Sequence, residues 1–491
     1  MKKFLSLVIF LYSLGLFAQD MKVSPNTKIT INTGTQLNFN NSGNLLLKDN
    51  PTSAPSFLQD GLVNFSGGGQ AKVEQYLTKD KWNLVSSPAN NSTIGAYNWM
   101  YLYSYNEPDN SWTSLSQPTT LLLNAGQGYF VWPYTSDPNG SNPPSPDLAI
   151  LTGNLNYQDI NLTLSNTASS SNSGWNLVGN PFPCALNWNG DASWNLNNVG
   201  AAMYIMDPSS GNYEVWNYNS GGTNPNGGYI AATQGFWVRA ADTTGPPASM
   251  TIPASQRSHN EAAFYKNSGH LLNNQLLLTL KKEDKADKTI IGFIEDASAG
   301  FDGNYDATYL YGSENAHSLY SQILGTKYAL NHLPSIEEYP VVPLYFEPRA
   351  PGNFTLSADW TESFPDEIPI YLEDVKTGAF LNLREADEYV FIAQLNDEVH
   401  RFNIHFTNPL DIENYDALAG VQIYAFDNYI NVKLNEDTNG EIRVYNLLGE
   451  QIIFTKTKNQ NNRIPVSTNN NYLLVKVLTK KGIKTQKIFI K

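Results

Sequence analysis

The stretch "GWNLVGNPFP", Gly174 to Pro183, opens on a large aromatic, continues through Leu-Val and stops at Gly-Asn-Pro-Phe-Pro. Almost the same phrase stands earlier as "KWNLVSSP", Lys81 to Pro88, with Trp82 and Trp175 offset by 93 residues. Each reads as a short strand, because proline has no amide hydrogen to give to a ladder and ends the pairing. Downstream of each phrase lies a Tyr-rich strand pair, "MYLYSYNEPDNSWTSL" from Met100 and "AMYIMDPSSGNYEVW" from Ala202. Turn residues at the centre of both mark hairpins. Each copy closes on Gln-Gly and an aromatic strand, "GQGYFVW" from Gly126 and "TQGFWVR" from Thr233. Correspondences in the same order predict a diverged repeat, two Trp-rich β-modules over 78–150 and 151–255.

The rest of the chain extends this reading to an all-β, multi-domain protein. At 491 residues it is too long for one core. Its Asn, Ser, Thr, Gly, Pro and Tyr are the vocabulary of short strands and tight turns. Residues 19–77 alternate in turn-bounded runs such as "KITINTGTQLNF", which predicts a small stack of β-coils or a meander. Residues 260–410 read as a β-sandwich and 419–491 as a small C-terminal, Ig-like β-sandwich. In "RFNIHF" strict alternation places His400 and His405, five apart, on opposite faces. The N-terminus pairs Lys2 and Lys3 with an apolar run from Phe4 to Ala18, which predicts a secretory signal peptide over 1–18. No later segment is apolar enough for a membrane-spanning helix. The single cysteine, Cys184, rules out an intramolecular disulfide.

Charge is uneven. Trp82 to Ser255 holds no lysine, one arginine and nine acids, whereas Val421 to Lys491 holds 11 bases against 5 acids. The net charge of −14 argues against nucleic acid as a partner, because most of the chain would repel phosphate.

Within that basic tail, "VYNLLGEQI" from Val444, "YLLVKV" from Tyr472 and the closing "KTQKIFIK" follow one another. Their order resembles the type A C-terminal sorting domain of proteins exported by the type IX secretion system. Val444, Tyr445, Asn446, Leu447, Leu448 and Gly449 match the family's central strand and turn. Tyr472, Val475 and Lys476 match its penultimate strand, and Lys487 to Lys491 its basic final strand. The family often opens on Tyr-Pro-Asn-Pro, where this chain has "IYAFDNYINV", and has a glycine where this chain has Asn470. The resemblance implies a Sec signal, passage through the periplasm and translocation across the outer membrane. It also implies two partners, the translocon and a sortase-like peptidase that releases the cargo or joins it to a surface glycolipid.

Candidate site residues are few. Nine of the ten tryptophans lie between Trp82 and Trp237. Trp82, Trp175 and Trp237 occupy repeat positions and are expected in the module cores. Trp99, Trp112, Trp188, Trp194 and Trp216 are flanked by turn residues and are expected to be exposed, where aromatics can stack on sugar rings. Asp302, Asn304 and Asp306 alternate as calcium loops do, but the glycine and glutamate of that motif are missing. Calcium is therefore the one cofactor candidate. Asp242, Thr243 and Thr244 resemble a short O-glycosylation acceptor. There is no Gly-x-Ser-x-Gly elbow and no His-Glu-x-x-His pair. The expected function is a non-enzymatic, adhesin-like or structural protein at the cell surface or in the medium. The alternatives are a carbohydrate-binding accessory protein, contacting extracellular glycan through its Trp-rich modules, and a hydrolase with an unrecognised site.

Overall fold

The computed structural model describes residues 20–490 except 117, 168–172, 190–191, 242–246, 260–272, 387, 408–420, 427, 435–439, 447–450, 458, 467–470 and 480–481. The signal segment, the Asp242 phrase, Leu447, Leu448, Gly449 and Lys491 therefore lie outside the described residues. The protein is all-β: 53% of it is strand, with no α-helix among the described residues. Two compact units divide it, 1–407 and 408–491.

The first unit begins with stacked parallel coils. Met21–Val23, Leu45–Leu47 and Ala71–Tyr76 form one parallel face. Lys28–Ile31 with Ser56–Gln59 and Gln36–Phe39 with Leu62–Phe65 form two more. Alternation turns Leu45, Leu47, Phe57 and Val73 inward, and Phe39 stacks on Phe65 at 5.0 Å. Of the coils and meander expected here, the chain forms coils.

The two repeats form sheets of one strand order. In the first it runs Asn83–Ser86, Gly128–Pro133, Met100–Asn106, Ser111–Ser114. In the second it runs Trp175–Gly179, Gly235–Ala240, Val199–Met206, Tyr213–Asn217, with Gly221–Gly222 added. Leu84 faces Phe130 in one and Leu177 faces Trp237 in the other.

The copies meet through the repeated phrases themselves. Val85 bridges Gln234, and Val178 bridges Gln127. The Ser86 amide donates to the Thr233 carbonyl at 2.8 Å, and the Gly179 amide to the Gly126 carbonyl at 2.9 Å. Each strand thus docks on the Gln-Gly turn of the other copy, in a reciprocal pseudo-two-fold arrangement. That approach explains the glycines: a Cβ on Gly128 would stand 2.4 Å from the Val178 carbonyl oxygen. The Asn-Pro corner is buried too, with Asn180 fully enclosed and its amide donating to Cys184 and Ala231 carbonyls, each at 2.8 Å. A third link is Glu107, whose buried carboxylate accepts from the Thr167 amide, the Thr167 hydroxyl and the Gly174 amide.

The expected boundary at 150/151 falls inside a strand. Leu148–Leu155 pairs with Ala71–Tyr76 of the coils and with Ala89–Asn90 of the first repeat, so it belongs to a sheet shared between them. Sequence alternation marks such a strand but not its partner.

Residues 273–407 form an eleven-stranded, nearly closed sandwich whose core includes Leu278, Phe346, Phe354, Phe402 and Ile404. Buried Arg401 pairs with buried Asp374 at 2.7 Å, and the Tyr389 hydroxyl donates to the same carboxylate at 2.8 Å. Burial alone would raise the Asp374 pKa, but Arg401 and Tyr389 outweigh it and hold the carboxyl below its usual value. The expectation that His400 and His405 face opposite ways is overturned. A register shift places Arg401 and Phe402 both inward, so His400, Asn403 and His405 share the outer face. His400 meets Asn403 at 2.9 Å and His405 meets Glu373 at 2.9 Å.

The second unit is a sandwich of three strands (Gln422–Phe426, Tyr429–Lys433, Asn461–Pro465) and four (Gln451–Lys456, Gly440–Tyr445, Asn471–Thr479, Gly482–Ile490). Val444 and Val475 pair in register and are fully buried in its core. Tyr445, Asn446 and Lys476 are half-buried, while Tyr472 is exposed and lies under Lys487 at 4.4 Å.

Candidate functional site: an aromatic cleft

Alternation in Met100–Asn106 puts Tyr101, Tyr103 and Tyr105 on one face of the first repeat. On the neighbouring strands the same face carries Phe130 and Trp112, with Trp82 just before the strand that opens the copy. Trp82 stacks on Phe130 at 4.3 Å and 13°, and Phe130 on Trp112 at 5.0 Å and 23°. The result is a row of three nearly parallel rings whose inner faces are taken by each other. Tyr105 meets both Trp112 and Trp237 edge to face, at 5.2 and 4.8 Å, which links the row to the second repeat.

These rings form one wall of a cleft of about 490 Å³. Trp175, Met206 and Trp237 of the second repeat are its buried floor. The opposite wall is the segment 309–314 of the sandwich region, with Tyr309, Leu310 and Tyr311 followed by Ser313 and Glu314. Trp112 and Tyr311 stand at the mouth, 41% and 38% exposed. Among the lining residues Glu314 is the sole charged side chain, and there is no histidine or cysteine.

On the second repeat the sandwich region packs against the matching face. Its Tyr204 hydroxyl donates to the Thr308 carbonyl at 2.9 Å. Lys288 pairs with Glu214 at 2.7 Å, and the Asn212 amide donates to the carbonyls of Ala286 and His317.

Hydrogen bonds hold the 309–314 wall. The Tyr309 hydroxyl donates to buried Asp287 at 2.6 Å; burial and that carboxylate push the phenol well above its usual range. Asp287 is itself pushed up to about 7 by burial, despite the bonds from Tyr309 and the Leu319 amide. Tyr311 donates to Glu347 at 2.6 Å. Burial raises the Glu347 pKa, but the Tyr311 and Tyr320 hydroxyls and Lys327 outweigh it and keep the carboxyl low.

Of the five aromatics expected at a binding surface, Trp112 lines the cleft. Trp99 is 45% exposed but stands outside it. The other three are corrections. Trp188, Trp194 and Trp216 are buried, and each indole N–H has an internal acceptor: the Ala201 carbonyl, the Asn187 carbonyl and the Asn189 side chain. Each ring turns inward while neighbours such as Asn189, Asn195 and Asn219 stay exposed, so local composition misjudged exposure. Trp175 and Trp237 are buried as expected, whereas Trp82 is half-buried and lines the cleft. Sequence reasoning missed Tyr103, Tyr105, Phe130, Tyr309 and Tyr311; the tyrosines at alternate positions were the available signal.

At the calcium candidate, the carboxylates serve the backbone. Asp302 accepts from the Asn304 amide at 2.9 Å, and buried Asp306 accepts from the Asp302 and His332 amides, each at 2.8 Å. Burial pushes Asp306 up to about 7. Among the described residues no three His, Cys, Asp or Glu side chains are grouped as metal ligands. Likewise, no described helix is long and apolar enough to cross a membrane.

The fold and cleft define an all-β, multi-domain protein with an aromatic ligand-sized groove. A family described as a domain of unknown function (DUF8693) matches residues 12–406, and the chain belongs to it. No curated protein matches the chain.

Proposed function

We propose that this is a surface protein of adhesive or structural type, carried across the outer membrane by the type IX secretion system. The observation that carries the reading is the C-terminal unit. The segment with the sorting-domain resemblance is compact by itself, and Val444 and Val475 of its two matched strands pair at the centre of its core. Its last strand, Gly482–Ile490, pairs along the whole of Asn471–Thr479 and presents Lys487 outward. A signal peptide over 1–18 would supply entry to the periplasm, and a sortase-like peptidase would act on the exported form. Adhesion would run through the aromatic cleft. Binding is favoured over catalysis because the lining offers one carboxylate, without a partner acid, histidine or cysteine to share proton transfer.

Deleting residues 419–491 and fractionating the cells tests this. The full chain should reach the surface or the medium, and the truncated chain should accumulate in the periplasm. Surface delivery of the truncated chain would overturn the export reading.

A further inference from the structure

We propose that the cleft of the first repeat binds a neutral saccharide, resting on the reading of this protein as a surface binding protein. Three observations select that chemistry. Glu314 is the single charged side chain in the lining and repels a phosphate, sulfate or uronate, while Lys327, against the Tyr311 ring, is already paired with Glu347. Ring faces in the Trp82, Phe130 and Trp112 row are engaged with each other, at 4.3 and 5.0 Å. The row therefore presents mainly ring edges, which carry the positive end of the quadrupole and do not draw a cation, and keeps an exposed ring at Trp112 for the apolar face of a sugar. The rim then adds Asn110, Ser313 and Glu314, which are hydrogen-bond partners at the edge of an apolar body.

A pyranose matches this division. Its C–H faces are apolar and its hydroxyls project around the ring, so the body can lie against the aromatic wall while the hydroxyls reach the rim. The cleft, about 490 Å³, falls in the range of roughly 300–1,000 Å³ typical of small-molecule sites and suits a short oligosaccharide rather than a single atom-sized ion.

The experiment is a titration of the purified full chain, followed by tryptophan fluorescence and calorimetry. The probes are neutral gluco-, xylo-, manno- and chito-oligosaccharides, oligogalacturonate, tetramethylammonium and a proline-rich peptide. At least one neutral oligosaccharide should saturate at millimolar concentration or below. Trp112→Ala and Asn110→Ala, both at exposed positions, should each weaken it about tenfold or more, which is about 1.4 kcal/mol. Trp99→Ala, outside the cleft, should leave it unchanged. Saturation by the anion, the cation or the peptide alone would overturn the inference, as would binding indifferent to Trp112→Ala and Asn110→Ala, or no binding by any neutral probe. These outcomes are separable from export. A chain that reaches the surface but binds no saccharide removes this inference alone; one that binds but stays in the periplasm removes the export reading alone.

Discussion

The two repeats share a strand order and dock through the same phrase, but their aromatic faces have opposite fates. In the first, Trp82, Phe130 and Trp112 run as a stack of two half-buried rings that ends on an exposed one. In the second, Trp175, Tyr204 and Trp237 occupy the matching surface and are buried, Tyr204 bonded to Thr308 of the sandwich region and Trp237 packed against Tyr105 and Trp112 of the first repeat. Duplication supplied two similar sheets, and the later domain covered one of them. What remains open is an aromatic groove with a rigid floor, because the covered copy holds it from below.

Substitution should cost most at the floor of the cleft. Trp237→Ala removes a 3%-exposed ring that touches Tyr105, Trp112 and Trp175, and should cost about 3–5 kcal/mol in denaturant unfolding. Trp112→Ala, on the open copy, loses ring contacts with Phe130, Tyr105 and Trp237 at a 41%-exposed position and should cost clearly less, about 1–2 kcal/mol, in the same assay. Equal losses at the two positions would mean that the first face is covered as well.

Next come the reciprocal glycines. A Cβ on Gly128 meets the Val178 carbonyl oxygen at 2.4 Å, while one on Gly235 meets Val85 backbone at 3.0 Å. Gly128→Ala should destabilise by about 1–3 kcal/mol and Gly235→Ala by clearly less. A reversed order, read from chemical unfolding, would show that the copies do not meet through these turns.

A further test is a pH dependence of the cleft wall. Burial raises Asp287 to about 7 from an ordinary 3.8, so the folded state holds a proton that the unfolded chain has released. Its contribution is full below about pH 4 and is lost as pH rises through 7. Relative to Asp287→Asn, the parent should therefore lose stability between pH 4 and pH 7. The variant comparison is needed because His317 and His332, both lowered to about 4 chiefly by burial, act in the opposite sense. Their contribution is present above about pH 6.5 and lost as pH falls through 4. Melting temperatures of parent and variant across this window should converge at the acid end; a parallel pair of curves would contradict the buried, protonated Asp287.

Much of the architecture was legible. The repeated Trp-Asn-Leu-Val and Gln-Gly phrases mark strands that pair at equivalent places in both sheets, and the alternation in 19–77 marks inward residues of the coils. What local pattern could not reveal was cover. Trp188, Trp194 and Trp216 sit among Asn, Gly and Ser, yet the rings themselves turn inward and their indoles find internal acceptors, even where a neighbour such as Asn189 stays exposed. The cleft depends on Tyr309 and Tyr311 lining the same space as Trp82 and Trp112, across about 200 residues of chain, and no short-range rule joins them. The extra residue that turns both Arg401 and Phe402 inward likewise leaves no mark in "RFNIHF", so His400 was assigned to the wrong face.

That one repeat is open and the other covered can be read by mapping tryptophan oxidation on the folded chain by mass spectrometry. Trp112 and Trp99 should be modified first, while Trp175, Trp188, Trp194, Trp216 and Trp237 remain protected until unfolding. A saturating saccharide should then shield Trp112 and leave Trp99 reactive. Early oxidation of the second-repeat tryptophans, or protection of Trp112 in the free protein, would contradict the account.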